Sequence, residues 1–284
     1  MSKRRSLLFI PGNSPGMVQN AGVFDADSVI FDLEDAVSVD EKDAARDLVC
    51  SALEGLDFGE TEKIVRINPM DTVWGKIDAE AVAKVKPHAI LVPKATEEAV
   101  VACDEILSHI ENEQKWTQGE IQLIALIETA YGVEFSSSIV NASSRVNGVL
   151  LGGEDFTADM EIERTRHGEE LSFVRRRLST LCKARKLHFI DTPFADVNDL
   201  EGLRLDLKTA IEMGATGKAA INPRQVEEIH KAFTPDLKSI QWAQEVVDAW
   251  DEAQLSNKGV FSLHGKMIDA PVYNRAKKLL DKIG

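Results

Sequence analysis

Eight short runs of apolar and β-branched residues, each followed by a stretch of helical character, constrain this chain more than any other feature. The runs are Ser6–Ile10, Ser28–Leu33, Lys63–Asn68, Ala89–Val92, Ile121–Glu128, Gly148–Leu151, His188–Asp191 and Lys218–Ile221. Each is too short to cross a membrane and reads as a strand buried on both faces. The intervening stretches carry helix signals. Pro15 sits at a first-turn position after Ser14. Asp40 is the expected cap of a helix over Glu41–Leu53, and Thr96 that of a helix reaching Trp116. Helices are also expected over Asp78–Lys86, Gly132–Ala142, Glu169–Lys186 and Asp199–Met213, the last ended by Gly214. Asn222 and Pro223 open one more, to Phe233. Units repeating at roughly 25–35 residues have the size of one βα unit. Eight of them predict an α/β chain folded as a (β/α)₈ TIM barrel. A doubly wound open sheet is the runner-up, but no GxGxxG follows the first strand.

The barrel accounts for residues 1–233. Residues 234–284 exceed what closure needs and read as a C-terminal helical extension. Its parts are a helix from Thr234-Pro235 to Leu255, a Gly-containing segment Asn257–Pro271, and a basic helix Val272–Ile283. A formal charge of −14, from 47 acidic against 33 basic residues, disfavours nucleic acid or an anionic membrane as partner. Cys50, Cys103 and Cys182 lie far apart, as reduced buried thiols and not as a disulfide frame or zinc site. The five residues between Arg5 and Pro11 are too short a run for a signal peptide, and no 18-residue apolar run occurs. The expectation is a cytoplasmic protein.

In this barrel class the active site lies at the carboxyl ends of the strands. Those ends carry Glu34 and Asp35, Arg66 and Asn68, Lys94, Glu128, Asp155, Asp191 and Asn222. Polar residues converging on one rim are what a solvated catalytic mouth requires. No His or Cys cluster supplies a soft-metal site, so the carboxylates point to Mg²⁺, with Mn²⁺ as its substitute. Glu128 and Asp155, on adjacent strand ends, are the expected metal ligands. Arg66, flanked by Val65 and Ile67, should face the barrel mouth and bind a substrate carboxylate or thioester oxygen. Asp32, Glu34 and Asp35 could orient metal waters or Arg66, or cap the next helix. Lys94 after Pro93 is a weaker Schiff-base candidate. Asp269, bracketed by Gly265 and Pro271, stands before the last helix, and position alone makes it an N-cap as readily as a functional group. The run Arg175-Arg176-Arg177 reads as a solvated helix face, and the scattered histidines as surface residues.

Seven segments in order carry a resemblance. They are Arg5–Gly12, Phe31–Val37 (FDLEDAV), Val65–Pro69 (VRINP), Ile127–Ala130 (IETA), Leu151–Phe156 (LGGEDF), Ile221–Gln225 (INPRQ) and Gly265–Asp269 (GKMID). Together they resemble the citrate lyase β-subunit family, within the HpcH/HpaI aldolase and malyl-CoA/citramalyl-CoA lyase group. The resemblance implies a Mg²⁺-dependent barrel lyase, a trimer or hexamer, acting beside citrate lyase α and γ subunits. It implies Mg²⁺ on Glu128 and Asp155, substrate on Arg66, and Asp269 supplied to a neighbouring subunit's site. The expected reaction is cleavage of a citryl thioester, on acyl carrier protein (ACP) or CoA, to oxaloacetate and an acetyl thioester. Catalytic roles fall to Arg66, Asp269 and Glu34, and substrate contacts to Arg66, Glu128, Asn68 and Asp35. Many relatives carry a basic residue after the first strand; Pro15-Gly16 lacks it. That suits an ACP thioester better than free CoA, unless Arg4 and Arg5 hold the CoA phosphates. Malyl-CoA or citramalyl-CoA lyase activity and a non-catalytic carrier-docking subunit are the competing readings.

Overall fold

The structure is a computed structural model and describes residues 3–255 and 259–281. Asn257, Lys258 and the expected helix end at Ile283 lie outside the described residues. Eight parallel strands close into a barrel in sequential order. They are β1 (Ser6–Pro11), β2 (Ser28–Asp32), β3 (Glu62–Arg66), β4 (Ala89–Val92), β5 (Gln122–Ile127), β6 (Val146–Leu151), β7 (His188–Asp191) and β8 (Gly217–Ala220). β8 returns to β1, with Ser6 beside Lys218 and Leu7 beside Ala219. Among the described residues no helix is long and apolar enough to cross a membrane.

Strand side chains alternate between the barrel interior and the helical layer. Leu7, Ile30, Ile64, Leu91, Ile124, Leu126, Leu150 and Ile190 fill the interior. The outward set, including Leu8, Val29, Phe31, Val65, Ile90 and Val149, packs beneath the helices. One further step of two residues along β2, β3 and β5 reaches Asp32, Arg66 and Glu128. The same alternation that builds the core therefore turns these three toward the mouth.

Several helices depart from the sequence reading. The helix expected from Asp78 begins at Val73, where the Thr72 hydroxyl accepts the Gly75 N–H. Asp40 makes no cap bond: Val39–Glu41 is a 3₁₀ turn ahead of the helix Lys42–Gly55. The segment Gly132–Ala142 is two short helices, Ala130–Glu134 and Ser136–Asn141, broken at Phe135. Arg175 is not solvated. From the helix Ser172–Arg185 it enters the layer between barrel wall and helices. There it pairs with Asp191 at 2.9 Å and Asp206 at 2.7 Å, and Lys218 bonds the same two carboxylates at 2.7 and 2.6 Å. This buried quartet has no net charge. It ties β7 and β8 to the helices Ser172–Arg185 and Leu200–Glu212. Arg177 is half-buried and donates to the Val133 and Glu134 carbonyls, so of the three arginines Arg176 is the one that is fully exposed. Cys103 and Cys182 are buried and Cys50 is half-buried.

The opposite, amino-terminal end of the barrel is plugged. Arg4 makes two bonds to Glu62, at 2.7 and 2.8 Å, and one to Asn147. Arg5 pairs with Asp27. His188 is half-buried there, and burial beside Arg4 pushes its imidazole down to about 4. Both arginines are thus committed at the wrong end to serve CoA phosphates at the mouth.

Residues Thr234–Gly284 form a second compact unit. Its long helix Leu237–Leu255 and its last helix Ala270–Leu280 share a small core of Ala243, Val246, Ile268 and Ala276. The segment read as a loop contains a hairpin, Phe261–Leu263 with Lys266–Ile268. Its turn residues His264 and Gly265 both have positive φ, as a tight two-residue hairpin turn requires.

The quartet generates a stability prediction. Lys218→Met leaves Asp191 and Asp206 sharing one cation, and should lower the unfolding free energy by about 3–5 kcal/mol in a denaturant titration. A change within about 0.5 kcal/mol would show that the quartet is energetically neutral.

Candidate active site

The mouth at the carboxyl ends holds a cavity of about 380 Å³. Phe9, Asp32, Arg66, Leu126, Glu128 and Leu150 form part of its wall, with Asp35 and Asp155 nearer the rim. Arg66 is its central cation. Its Nε and Nη2 donate to the two Asp32 oxygens at 2.7 and 2.6 Å, a bidentate fork that fixes the guanidinium plane. Phe9 lies over the guanidinium at 5.2 Å. Nη1 stands 2.9 Å from Glu34 Oε2 and 3.4 Å from Asp35. The Glu34 contact is out of line for a hydrogen bond, so that buried oxygen has charge contact but no donor. Burial alone would lower the Arg66 pKa; bonding to Asp32 outweighs it and holds the guanidinium charged.

Glu128 leaves the end of β5 only 1% exposed. One oxygen accepts the Lys94 main-chain N–H at 2.7 Å. A Cβ on Gly152 would lie 2.5 Å from the Glu128 Cβ and 2.6 Å from Oε2. The glycine at the end of β6 is therefore the space into which Glu128 folds. Burial, then the charges of Glu34 and Asp155, push its carboxyl up to about 8, against the Lys94 N–H and Arg66. Asp155 enters in the first turn of the helix Gly153–Asp159. Thr192 steadies that turn by accepting the Gly153 N–H at 2.9 Å.

Other candidates from the sequence lie elsewhere. Asn68 does not line the cavity. Its amide donates to the Leu33 carbonyl at 2.9 Å and to Asp78 at 2.6 Å, bracing the loop after β2. Lys42 braces the same loop through the Leu33 and Glu34 carbonyls. Glu34 is not on the cavity wall either. It sits behind Arg66 with its other oxygen on Lys94 Nζ at 2.6 Å. A carboxylate so committed is poorly placed as a base in contact with substrate. Burial raises the Glu34 pKa, opposed by Arg66 and Lys94. For Lys94 burial works downward, but the bond to Glu34 prevails and the ammonium is held charged. A Schiff-base lysine needs the opposite shift, so that reading is not supported. Asp191 belongs to the wall quartet. Asn222 caps the helix Arg224–Phe233, its Oδ1 accepting the Arg224 N–H. Asp269 likewise accepts the Val272 N–H as the N-cap of the last helix.

The residues present fit a hard divalent cation. Glu128 is a buried carboxylate with the like charges of Glu34 and Asp155 beside it. A cation between Glu128 and Asp155 would relieve that repulsion. Among the described residues no three His, Cys, Asp or Glu are gathered to hold a metal by themselves. Two carboxylates leave most of an octahedral shell to water and substrate, the Mg²⁺ habit.

The sequence profile described as HpcH/HpaI aldolase/citrate lyase matches residues 5–223. This chain belongs to that family. A citrate lyase subunit beta of Leuconostoc mesenteroides subsp. cremoris is 40% identical over 278 residues, covering 98% of this chain and 92% of the relative. A crystal structure of the protein CitE of Mycobacterium tuberculosis with magnesium, acetoacetate and coenzyme A superposes with a TM-score of 0.82. Its identity is 28%, with 99% of this chain and 98% of that chain covered. A citrate lyase beta subunit from M. tuberculosis, complexed with oxaloacetate and magnesium, gives a TM-score of 0.69 at 28% identity. It covers 83% of this chain and 100% of that one. HpcH/HpaI membership agrees with the closed eight-stranded barrel.

The raised Glu128 carboxyl sets a pH dependence for the metal-free protein. Its ordinary value is 4.5 and its folded value about 8. Between them the folded chain keeps a proton that the unfolded chain has released. Stability should therefore fall as pH rises from about 5 to 8, and saturating Mg²⁺ should remove that fall. Denaturant midpoints that stay flat across this window without Mg²⁺ would contradict the burial of Glu128.

Proposed function

We propose that this chain is the Mg²⁺-dependent lyase subunit of a citrate lyase, cleaving a citryl thioester to oxaloacetate and an acetyl thioester. One observation carries the reading. A buried Glu128 stands beside Asp155 and faces a fixed Arg66, in a chain 40% identical to a citrate lyase subunit beta over nearly its whole length.

Glu128 and Asp155 would hold the cation, which when bound supplies Lewis acidity toward the substrate hydroxyl and carboxylate. Arg66, locked by Asp32, keeps donors for the thioester oxygen. As the carbon–carbon bond breaks, its electron pair moves into a thioester enolate, and Arg66 stabilises the charge there. The hydroxyl proton goes to a base. Asp35 lines the cavity 3.4 Å from Arg66 and is the better placed carboxylate, since Glu34 is engaged behind it. Asp269, supplied by another subunit, would return a proton to the enolate carbon to give the acetyl group. That role makes residues 234–284 a catalytic arm and calls for a homo-oligomer, a trimer or hexamer, beside α and γ subunits.

ACP is the favoured carrier, because Arg4 and Arg5 are spent at the far end and Pro15-Gly16 offers no cation. The second reading is a CoA thioester lyase, acting on citryl-, malyl- or citramalyl-CoA. The coenzyme A bound by the M. tuberculosis protein CitE favours it.

A panel of ACP and CoA thioesters, assayed with and without Mg²⁺, separates these. Citryl-ACP should be cleaved fastest and only with Mg²⁺. Glu128→Ala and Asp155→Ala should each lose at least about 100-fold while keeping the wild-type circular dichroism. Asp269→Asn should lower kcat more than it raises KM. Full activity in both carboxylate variants would sink the metal assignment, and preference for a CoA ester would replace the carrier.

A further inference from the structure

We propose that Lys94 is a positioning residue: its main chain orients Glu128, and its ammonium sets the charge that draws an acid anion to the metal-loaded mouth. The proposal rests on reading that mouth as a Mg²⁺ and oxyacid site.

Lys94 follows β4 with φ of 43°, a left-handed conformation that suits glycine and that L side chains rarely adopt. From this turn its N–H points to Glu128 Oε1 at 2.7 Å, and its Nζ reaches Glu34 Oε1 at 2.6 Å. One residue thus meets two mutually repelling carboxylates from two directions. Glycine would make the first contact with less strain. The second explains why lysine stands there.

The charge balance shows what the ammonium changes. Asp32, Glu34 and Glu128 are buried at 3% exposure or less, against two buried cations, the Arg66 guanidinium and the Lys42 ammonium held on the Glu34 carbonyl. With all three ionised, the buried set is singly negative. The Lys94 ammonium cancels that charge, and one divalent cation then makes the set doubly positive. Without Lys94 the loaded set would carry half that positive charge. Asp35 and Asp155, more exposed, shift both cases equally. The Lys94 side chain is itself 44% exposed and does not line the cavity, so it acts through Glu34 and the local field and not by touching substrate.

The test is calorimetry on the full-length protein, titrating Mg²⁺ and then titrating oxaloacetate into the Mg²⁺-saturated protein. Lys94→Met and Lys94→Gly should bind Mg²⁺ no more weakly than wild type, yet bind oxaloacetate about tenfold more weakly, the size of one screened charge. Lys94→Arg should restore oxaloacetate affinity to within about threefold of wild type. Lys94→Gly should melt no lower than Lys94→Met, because both lose the bond to Glu34 while glycine keeps the N–H and relaxes φ. Unchanged oxaloacetate affinity in Lys94→Met overturns the proposal, as does joint loss of both ligands, which would mark a merely structural role. If Lys94→Met fails to fold, equal oxaloacetate affinities in the Gly and Arg variants overturn it. Wild type that binds no Mg²⁺ overturns the site reading and this proposal together.

Discussion

The mouth of this barrel is arranged around one buried guanidinium. Arg66 ends β3 pointing inward because Ile64, two residues earlier, points inward. Its charge could not be left there alone, since an unpaired ion in that position would carry a large desolvation cost. Asp32 answers it from the adjacent strand at the same level, because β2 and β3 pair with Asp32 opposite Arg66. Strand register, and not a flexible loop, thus sets the geometry of the fork. Glu34 and Asp35 follow in the loop beyond, and Lys42 and Asn68 hold that loop by its carbonyls. The precision of the site derives from the sheet.

Two ion clusters in one chain show how charge balance separates structure from chemistry. In the wall, Arg175 and Lys218 neutralise Asp191 and Asp206, and nothing further is called for. At the mouth, Asp32, Glu34, Asp35, Glu128 and Asp155 outnumber Arg66, Lys42 and Lys94, and Glu128 is left with one main-chain donor and a carboxyl pushed up to about 8. A folded chain tolerates that imbalance where a ligand completes it. Gly152 keeps open the room Glu128 needs, so the imbalance is held by steric design in neighbouring strands. The cluster at the amino-terminal end is closer to the wall than to the mouth: Arg4 and Glu62 pair there and close the barrel.

The barrel was legible because eight apolar runs at regular spacing admit few folds, and strand positions shifted by one or two residues at most ends. The rim was legible as a set: Arg66, Glu128 and Asp155 do line one cavity. Individual roles were harder to read. Asp191 and Asn68 stand at strand ends as Glu128 does, but period two turns Asp191 into the helical layer, and the Asn68 amide is drawn to Leu33 and Asp78. Counting alternate residues back from each end would have separated Asp191 from Glu128, and would have raised Asp32 from a crowded neighbour to the partner of Arg66. A run of three arginines resembles a solvated face, while the partners of Arg175 come from one strand and one helix further along the chain, Asp191 and Asp206. Nothing local in the sequence marks the φ of Lys94 or the clearance at Gly152; both depend on contacts between strands.

In the proposed site Glu128 and Asp155 together hold one divalent cation. Crystals of the protein soaked in Mn²⁺ test it most directly through the anomalous signal. One strong peak is expected at the mouth, about 2.1–2.2 Å from a carboxylate oxygen of each residue, with water or substrate oxygens filling the rest of the shell. A peak bound by other side chains, or a mouth holding only water at saturating Mn²⁺, would contradict it.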